Sequence, residues 1–160
     1  MNATLTSMPR EPWLLCENSS PYDAQAPPDK TRVAVFGSFL GGYHVLQELL
    51  SGPLASRVTV VGVATDDPIQ PFTHPTVRLW KYAHSREDEL LVGRFAAERR
   101  LPVFTGRVKT PEFFQMFLED WQPQLCLMAT FGQKIPLPLI NYPTLGFYNF
   151  HHSGVIPHAE

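Results

Sequence analysis

The chain has 160 residues, a formal net charge of −2 and 44% hydrophobic residues, which is enough for one domain with a sizeable core. The nearly balanced charge argues against a protein that binds nucleic acid over a broad surface, because such binding needs a dense positive face. No stretch approaches the roughly 18–20 continuous apolar residues of a membrane span. Cys16 and Cys126 are far apart in the sequence, and we expect both to be free thiols in a cytoplasmic protein.

Residues 1–30 combine Pro, Ser, Asn and Asp without a sustained period. This composition predicts an irregular N-terminal extension, either laid across the domain surface or disordered. The ordered domain is expected over residues 31–160. A second irregular stretch is predicted over residues 68–84, which are interrupted by prolines.

Within this domain, apolar runs rich in β-branched residues alternate with amphipathic segments. Strands are predicted over 32–36, 57–63, 101–104, 124–130 and 146–150, and helices over 43–50, 85–99, from Thr110 onwards and over 138–142. Thr110 is the expected helix cap, with Pro111 in the first turn, and the expected inner face of that helix carries Phe113, Phe114, Phe117 and Leu118. Strands that are apolar on both faces and alternate with helices are typical of an α/β protein with a parallel sheet flanked by helices.

In such a sheet, ligands bind at the carboxyl ends of the strands, where the strand order reverses. The segments to inspect are those that follow the predicted strands, namely residues 37–42, 65–67, 105–107, 131–135 and 149–153.

The first of these segments, GSFLGG over residues 37–42, joins a strand to a helix. Its glycines would let the backbone approach a ligand, and its N–H groups suit an anionic group such as phosphate or carboxylate. It is not the dinucleotide-binding fingerprint, because Phe39 stands where that motif needs glycine. The alternative is a tight turn that packs the helix on the strand.

The last segment, NFHHS over residues 149–153, places two polar side chains on one face of a strand. Asn149 and His151 share that face, whereas Phe150 points the other way, into packing. An amide can donate a hydrogen bond to a developing oxyanion, and an imidazole can transfer a proton near neutral pH. A structural role for a buried histidine is the alternative.

The segment GFYNFHHS over residues 146–153, followed by Ile156 and Pro157, resembles the Asn-x-His-x-Ser…Leu-Pro signature of the folate-dependent formyltransferases. These enzymes move a formyl group from 10-formyltetrahydrofolate to an amine. Residues 121–136 and 101–104 are similar to two further segments of that family, in the same order. The resemblance covers residues 32–157, is strongest over 121–157, and implies a Rossmann-like sheet of the formyltransferase type.

The resemblance implies a role for each matching residue. Asn149 would polarise the formyl carbonyl and hold the oxyanion, and His151 would donate a proton or act as an electrostatic partner. Residues 131–135 would line the pterin slot, and the residues expected to contact the folate cofactor are Phe131, Gly132, Gln133, Lys134, Ile135, Ser153 and Arg107. The residues expected to border the acceptor substrate are Gly37, Ser38, Gly41 and Gly42.

The sequence also departs from the family pattern. His152 stands where the family usually has Gly or Pro, and the loop after Ser153 is one residue longer than is common. The family's third catalytic residue is an Asp some tens of residues beyond the Asn-x-His strand, and no Asp of this sequence matches it. We therefore expect the domain to be incomplete on its C-terminal side, and the chain taken alone to lack activity.

Three functional expectations follow. The favoured acceptor is a small-molecule amine such as hydroxyornithine or an amino sugar, because no basic surface is evident, although tRNA stays open. The main alternative is a catalytically inactive folate-binding or regulatory module of the same fold, and a third is a nucleotide-binding Rossmann-like domain. No metal site is expected, because His151 and His152 point to opposite faces and His158 lacks nearby partners.

Overall fold

A computed structural model of the protein describes residues 30–66 and 85–150. Its strands are β1 (Thr31–Gly37), β2 (Val58–Ala64), β3 (Val103–Phe104), β4 (Leu125–Ala129) and β5 (Phe147–Phe150), and its helices are α1 (Phe39–Ser51), α2 (Leu91–Glu98), α3 (Pro111–Gln115) and α4 (Leu137–Asn141). A 3-10 turn (Asp88–Leu90) leads into α2, and a π-helical segment (Met116–Trp121) continues α3. The predictions for the N-terminal extension, for residues 68–84 and for His151 and Ser153 lie outside the described residues.

The five strands form one sheet in the order β3-β2-β1-β4-β5, and every neighbouring pair is parallel. The predicted α/β fold with a parallel sheet flanked by helices is therefore confirmed. The chain runs outward from β1 to β3 and then returns to β4 on the other side of β1. The strand order thus reverses between β1 and β4, and the carboxyl ends of these two strands flank the crevice where ligands bind in such sheets.

Side chains of β1 alternate between two separate hydrophobic clusters, one on each face of the sheet. Val33 and Val35 pack with buried residues of α1 and α2, whereas Ala34 and Phe36 pack with residues of α3 and its π-helical continuation. This two-sided burial explains why the strands are apolar throughout. Phe36 lies at the centre of the second cluster, where its ring contacts the rings of Phe113 and Phe131.

The helix that begins after Thr110 starts as predicted and ends differently. The Thr110 hydroxyl accepts a hydrogen bond from the Phe113 amide at 3.3 Å, and Pro111 occupies the first turn. The prediction that Leu118 faces the core is wrong, because its side chain is 37% exposed, and Trp121 is buried instead. The π-helical turn is wider than an α-turn and therefore changes which residue meets the sheet.

The end of this π-helical segment is held by Arg32 of β1. The Arg32 guanidinium donates to the backbone oxygen of Trp121 at 2.7 Å and to that of Asp120 at 3.2 Å. Both carbonyls belong to the last turn of a helix, where side chains commonly satisfy the terminal backbone oxygens. The first strand therefore fixes the position of the helix that covers one side of the sheet.

Several element bounds differ from the sequence prediction. The first helix begins at Phe39, four residues before its predicted start, so part of the glycine-rich segment is helical. The helix predicted over 85–99 opens with Ser85, whose amide and hydroxyl both donate to the Asp88 carboxylate, at 2.8 and 3.0 Å. The Asp88 amide donates back to the Ser85 hydroxyl at 3.2 Å, which is a reciprocal capping box built with Asp.

Among the described residues, no helix has the length and apolar character needed to cross a membrane.

Candidate active site

A cavity of about 900 Å³ opens at the carboxyl ends of β4 and β5. Asn149 lines this cavity and is paired in register with Met128 on the neighbouring strand. Phe147 lines it as well, as expected for a residue two positions away on the same face of a strand. The remaining lining residues are Lys109, Phe114, Met128, Gln133, Lys134, Ile135, Pro136, Leu137 and Ile140.

Gln133, Lys134 and Ile135 line the cavity and belong to the segment 131–135, which we call the cavity loop. Thr130 adopts a left-handed backbone conformation with φ of 57°, which turns the chain out of β4 at this point. Residues other than glycine pay a conformational cost there, and such positions cluster at functional sites. Phe131 packs its ring against Phe36 at 5.5 Å between centroids, and Ile135 is buried. The loop is therefore anchored in the core at both ends.

A buried carboxylate holds the middle of the cavity loop. Asp66 follows β2, is 0% exposed, and accepts hydrogen bonds from the Gly132 amide and from the Gln133 side-chain amide, the latter at 2.9 Å. The backbone amide of Asp66 donates to the Ser38 hydroxyl at 3.0 Å. Asp66 therefore joins the loops that follow β1, β2 and β4.

Gln133 adds the loop after β3 to this network. Its side-chain nitrogen also donates to the backbone oxygen of Gly106 at 3.0 Å, and its side-chain oxygen accepts from the Val108 amide at 3.0 Å. Four of the five strand ends are thus connected through two residues. Sequence reasoning pointed to residues 65–67 as a segment to inspect but assigned no role to Asp66. The usable signal was a carboxylate at the end of a strand that is otherwise almost wholly apolar.

The glycine-rich segment after β1 fits the tight-turn alternative. A Cβ added to Gly37 would lie 2.7 Å from the Cα of Gly42, so strand and helix touch through their backbones here. Ser38 is 1% exposed, its amide donates to the Ala129 oxygen at 3.3 Å, and its hydroxyl lies 3.4 Å from that of Thr65. Gly41 packs against Thr130. These contacts account for all four residues as supports of the site, and their role in substrate binding stays a prediction.

The structure brings together some of the predicted site residues and separates others. Asn149, Gln133, Lys134 and Ile135 line one cavity, whereas Phe131, Gly132 and Arg107 are not among its lining residues. Seven cavity residues were not predicted as site residues, and only their convergence at one edge of the sheet shows their relation to Asn149. They are Lys109, Phe114, Met128, Pro136, Leu137, Ile140 and Phe147. The expectation that Phe150 points into packing is wrong, because that residue is 56% exposed.

The described residues offer neither a metal site nor a thiol nucleophile. Within residues 30–66 and 85–150, no three His, Cys, Asp or Glu side chains lie close enough to hold a metal ion. Burial raises the pKa of the Cys126 thiol well above its ordinary range, so that this group stays protonated and unreactive near neutral pH.

Comparison with known proteins gives two relatives, both methionyl-tRNA formyltransferases. The protein from Syntrophomonas wolfei is 39% identical over 49 residues, which are 31% of this chain and 15% of the relative. The protein from a Synechococcus strain is 41% identical over 59 residues, which are 36% of this chain and 17% of the relative. The chain therefore covers about a sixth of the length of each relative it matches. No protein-family model matches the sequence.

These relatives overturn one expectation and support another. The expectation of a small-molecule amine as the acceptor is wrong, because both relatives are named for a tRNA substrate. That expectation rested on the absence of an evident basic surface. The net charge of a whole chain does not show whether one part of it binds the reacting end of a large substrate such as tRNA. The resemblance to the formyltransferases is confirmed at the level of sequence similarity, because both relatives are formyltransferases.

Proposed function

We propose that this chain forms the donor-binding part and part of the catalytic site of an enzyme that transfers a formyl group from 10-formyltetrahydrofolate to the amino group of methionyl-tRNA. The observation that carries the proposal is the position of Asn149. It lines an apolar cavity at the carboxyl edge of the sheet, together with Gln133, Lys134 and Ile135 of the cavity loop. The two methionyl-tRNA formyltransferases among the relatives support the same reaction.

The cavity fits a folate donor in its volume and in its lining. About 900 Å³ lies in the range of small-molecule sites, which are mostly apolar with a few polar groups that fix orientation. Phe114, Met128 and Phe147 supply apolar surface for a flat heteroaromatic ring. The backbone N–H and C=O groups of Lys134 and Ile135 make no hydrogen bond within the described residues, and they can pair with the polar edge of such a ring.

Asn149 has the chemistry required at the reacting carbonyl. Its amide is neutral at every physiological pH and carries two N–H donors. A fixed donor aimed at an oxygen that gains negative charge lowers the barrier to acyl transfer. His151 is the candidate for proton movement or electrostatic support, two residues farther along the chain and outside the described residues. Bound 10-formyltetrahydrofolate supplies the formyl group.

The transfer needs no nucleophile from the protein. The formyl carbon exchanges its bond to the donor nitrogen for a bond to the acceptor nitrogen, and one proton passes from the acceptor amine to the donor. The chain therefore has to orient two substrates, stabilise an oxyanion and exclude water. The buried network of Asp66, Gln133 and Ser38 provides a rigid frame for that task.

The test is a transfer assay with the complete polypeptide that carries this sequence. 10-Formyltetrahydrofolate and methionyl-tRNA are the substrates, and formylmethionine released from the tRNA by mild alkali is identified by mass spectrometry. Methionyl-tRNA with an acetylated amino group is the matched control, because it has the same polynucleotide and no free amine. Formylation of the free amine alone supports the proposal.

Two other outcomes would replace the proposal. A folate that binds without transfer to methionyl-tRNA would select the inactive folate-binding module. Stabilisation of the fold by NAD(H), without any effect of folates, would select a nucleotide-binding domain, because a ligand raises the melting temperature of the state that it binds.

A further inference from the structure

The hydrogen-bonded pair Asp66 and Gln133, which we call the clasp, connects the loops that follow β2, β3 and β4. We propose that the clasp is a positioning device, which holds the cavity loop in the one conformation that binds the formyl donor. Asp66 and Gln133 would then act on the reaction through the loop and not by touching the reacting atoms. This inference rests on the proposed function and gives the two side chains a specific role within the frame, namely the alignment of the cavity loop.

The side-chain nitrogen of Gln133 has no N–H group left with which to bind 10-formyltetrahydrofolate. An amide carries two N–H groups, and here they point at the Asp66 carboxylate, at 2.9 Å, and at the Gly106 oxygen, at 3.0 Å. The amide oxygen accepts from the Val108 backbone at 3.0 Å. Although Gln133 lines the cavity, its polar atoms are committed to the protein.

The partners of Asp66 explain why this position carries a carboxylate. Two groups that donate to its oxygens are the Gly132 amide and the Gln133 side chain. An asparagine has only one acceptor atom, so it would direct its own N–H group at one of these donors. A buried donor that loses its acceptor is costly, and this cost ties the loop to Asp66.

The clasp determines what the cavity loop presents to the cavity. The Asp66 carboxylate accepts hydrogen bonds from Gly132 and Gln133. The next two residues, Lys134 and Ile135, line the cavity. The backbone polar groups of Lys134 and Ile135 have no hydrogen bond within the described residues. Loosening the clasp would therefore disturb the alignment of these groups, and with it donor binding, while leaving Asn149 in place on β5.

The principal variant is Gln133→Glu, which keeps the acceptor for Val108 and places a second carboxylate against Asp66. We expect the KM for 10-formyltetrahydrofolate to rise about 10- to 100-fold, with kcat at saturating donor changed less than about threefold. Gln47→Glu is the matched control, since Gln47 is an exposed residue of α1, and it should leave both constants unchanged. An equal loss in kcat and kcat/KM for Gln133→Glu would overturn the positioning role.

The double variant Asp66→Asn/Gln133→Glu reverses the direction of the central hydrogen bond. The amide introduced at position 66 can then donate to the carboxylate introduced at position 133, while the amide oxygen still accepts from Gly132. We expect the KM of the double variant for 10-formyltetrahydrofolate to be at least tenfold lower than that of Gln133→Glu alone. A KM that does not fall at all would overturn the pairing. If Gln133→Glu does not fold, Gln133→Met removes the two hydrogen bonds that the side-chain nitrogen donates and also the acceptor of Val108, without adding charge.

Amide hydrogen exchange tests the clasp independently of any reaction. The Gly132 and Val108 amides both donate to clasp side chains, so NMR should show slow exchange of both in the wild type. We expect at least tenfold faster exchange of the Gly132 amide in Gln133→Glu, whose second carboxylate disturbs Asp66, and of the Val108 amide in Gln133→Met, which removes its acceptor. Equal amide exchange rates in the wild type and in the variants would contradict the proposed role of the clasp. A wild type that transfers no formyl group would refute the proposed function instead, so the two failures are distinguishable.

Discussion

The indole of Trp121 packs directly over the backbone of Gly62 in the middle of β2. A Cβ built on Gly62 would overlap three atoms of the indole ring system. The pairing of β1 with β2 is irregular at the same place, since Val33 pairs with Val60 whereas Ala34 pairs with Gly62. The sheet therefore accommodates the largest fully buried side chain of the core at the one position of β2 that lacks a side chain.

This contact makes Gly62 sensitive to substitution. Gly62→Ala should lower the free energy of unfolding by about 1–3 kcal/mol, because an added methyl group overpacks a rigid ring. Urea unfolding followed by tryptophan fluorescence measures the change. Gly93→Ala is the matched control: nothing lies within 4 Å of its added Cβ, and alanine in a helix gains up to about 1 kcal/mol over glycine. Equal destabilisation of both variants would contradict the packing described.

Removal of the Asn149 amide should cost activity and spare the fold. Asn149 is exposed at the cavity rim, so its side chain supports little of the core. A lost oxyanion donor typically lowers kcat about 10²–10³-fold, and this loss is expected for Asn149→Ala in the formylation assay. Asn141→Ala, at an exposed position outside the cavity lining, should behave as the wild type. Wild-type turnover in Asn149→Ala would remove this residue from the mechanism.

The lysines at the cavity, Lys109 and Lys134, are both exposed and both line it. The donor carries carboxylates, and an exposed ion pair contributes about 0.2–1 kcal/mol. Lys134→Ala and Lys109→Ala should therefore each raise the donor KM by up to about fivefold at low salt, and less at high salt, where charges are screened. Lys30→Ala, at the amino end of β1, is the control. A KM shift that does not depend on salt would argue against an electrostatic contact.

The Cys126 thiol should react only when the protein unfolds. Burial raises its pKa far above the ordinary value of 9.0, and the thiolate is the reactive form. In a Cys16→Ser background, iodoacetamide at pH 8 should leave the native protein unlabelled in a mass spectrum and label it in denaturant. Rapid labelling of the native protein would contradict the burial of this strand.

The same shift has a consequence for stability. The unfolded thiol loses its proton near pH 9, whereas the folded one keeps it, so folding favours the protonated form. The contribution of Cys126 to stability is therefore constant below pH 9 and falls as the pH rises above that value. Cys126→Ala should flatten the alkaline decline in the free energy of unfolding, and an unchanged slope would exclude Cys126 as its cause.

Local patterns were sufficient for the elements and for the class of fold. Apolar runs such as the one in β1 are buried on both faces because helices cover both sides of a parallel sheet, and that requirement can be detected in a few consecutive residues. Thr110 and Pro111 start a helix through contacts within one turn. The motif at Asn149 indicated the family, because three short segments kept their order along the chain.

Other features depended on how distant segments meet. Trp121, and not Leu118, faces the sheet because the helix ends in a π-turn held by Arg32, a strand residue 89 positions away. Short-range periodicity assumes a regular helix and cannot anticipate such a turn. Phe150 is exposed for a related reason, since what covers a strand face is decided by neighbouring elements and not by the strand.

The sequence by itself determined the α/β architecture, the order of its elements and the resemblance to the formyltransferases, because each depends on local periodicity or on short motifs. Only the tertiary structure decided the composition of the site. Asp66 and Gln133 are 67 positions apart and meet at 2.9 Å because the strand order reverses between β1 and β4 and brings the carboxyl ends of the strands to one edge. A hydrogen bond acts over about 3 Å of space, and distance along the chain says nothing about it until the sheet has formed.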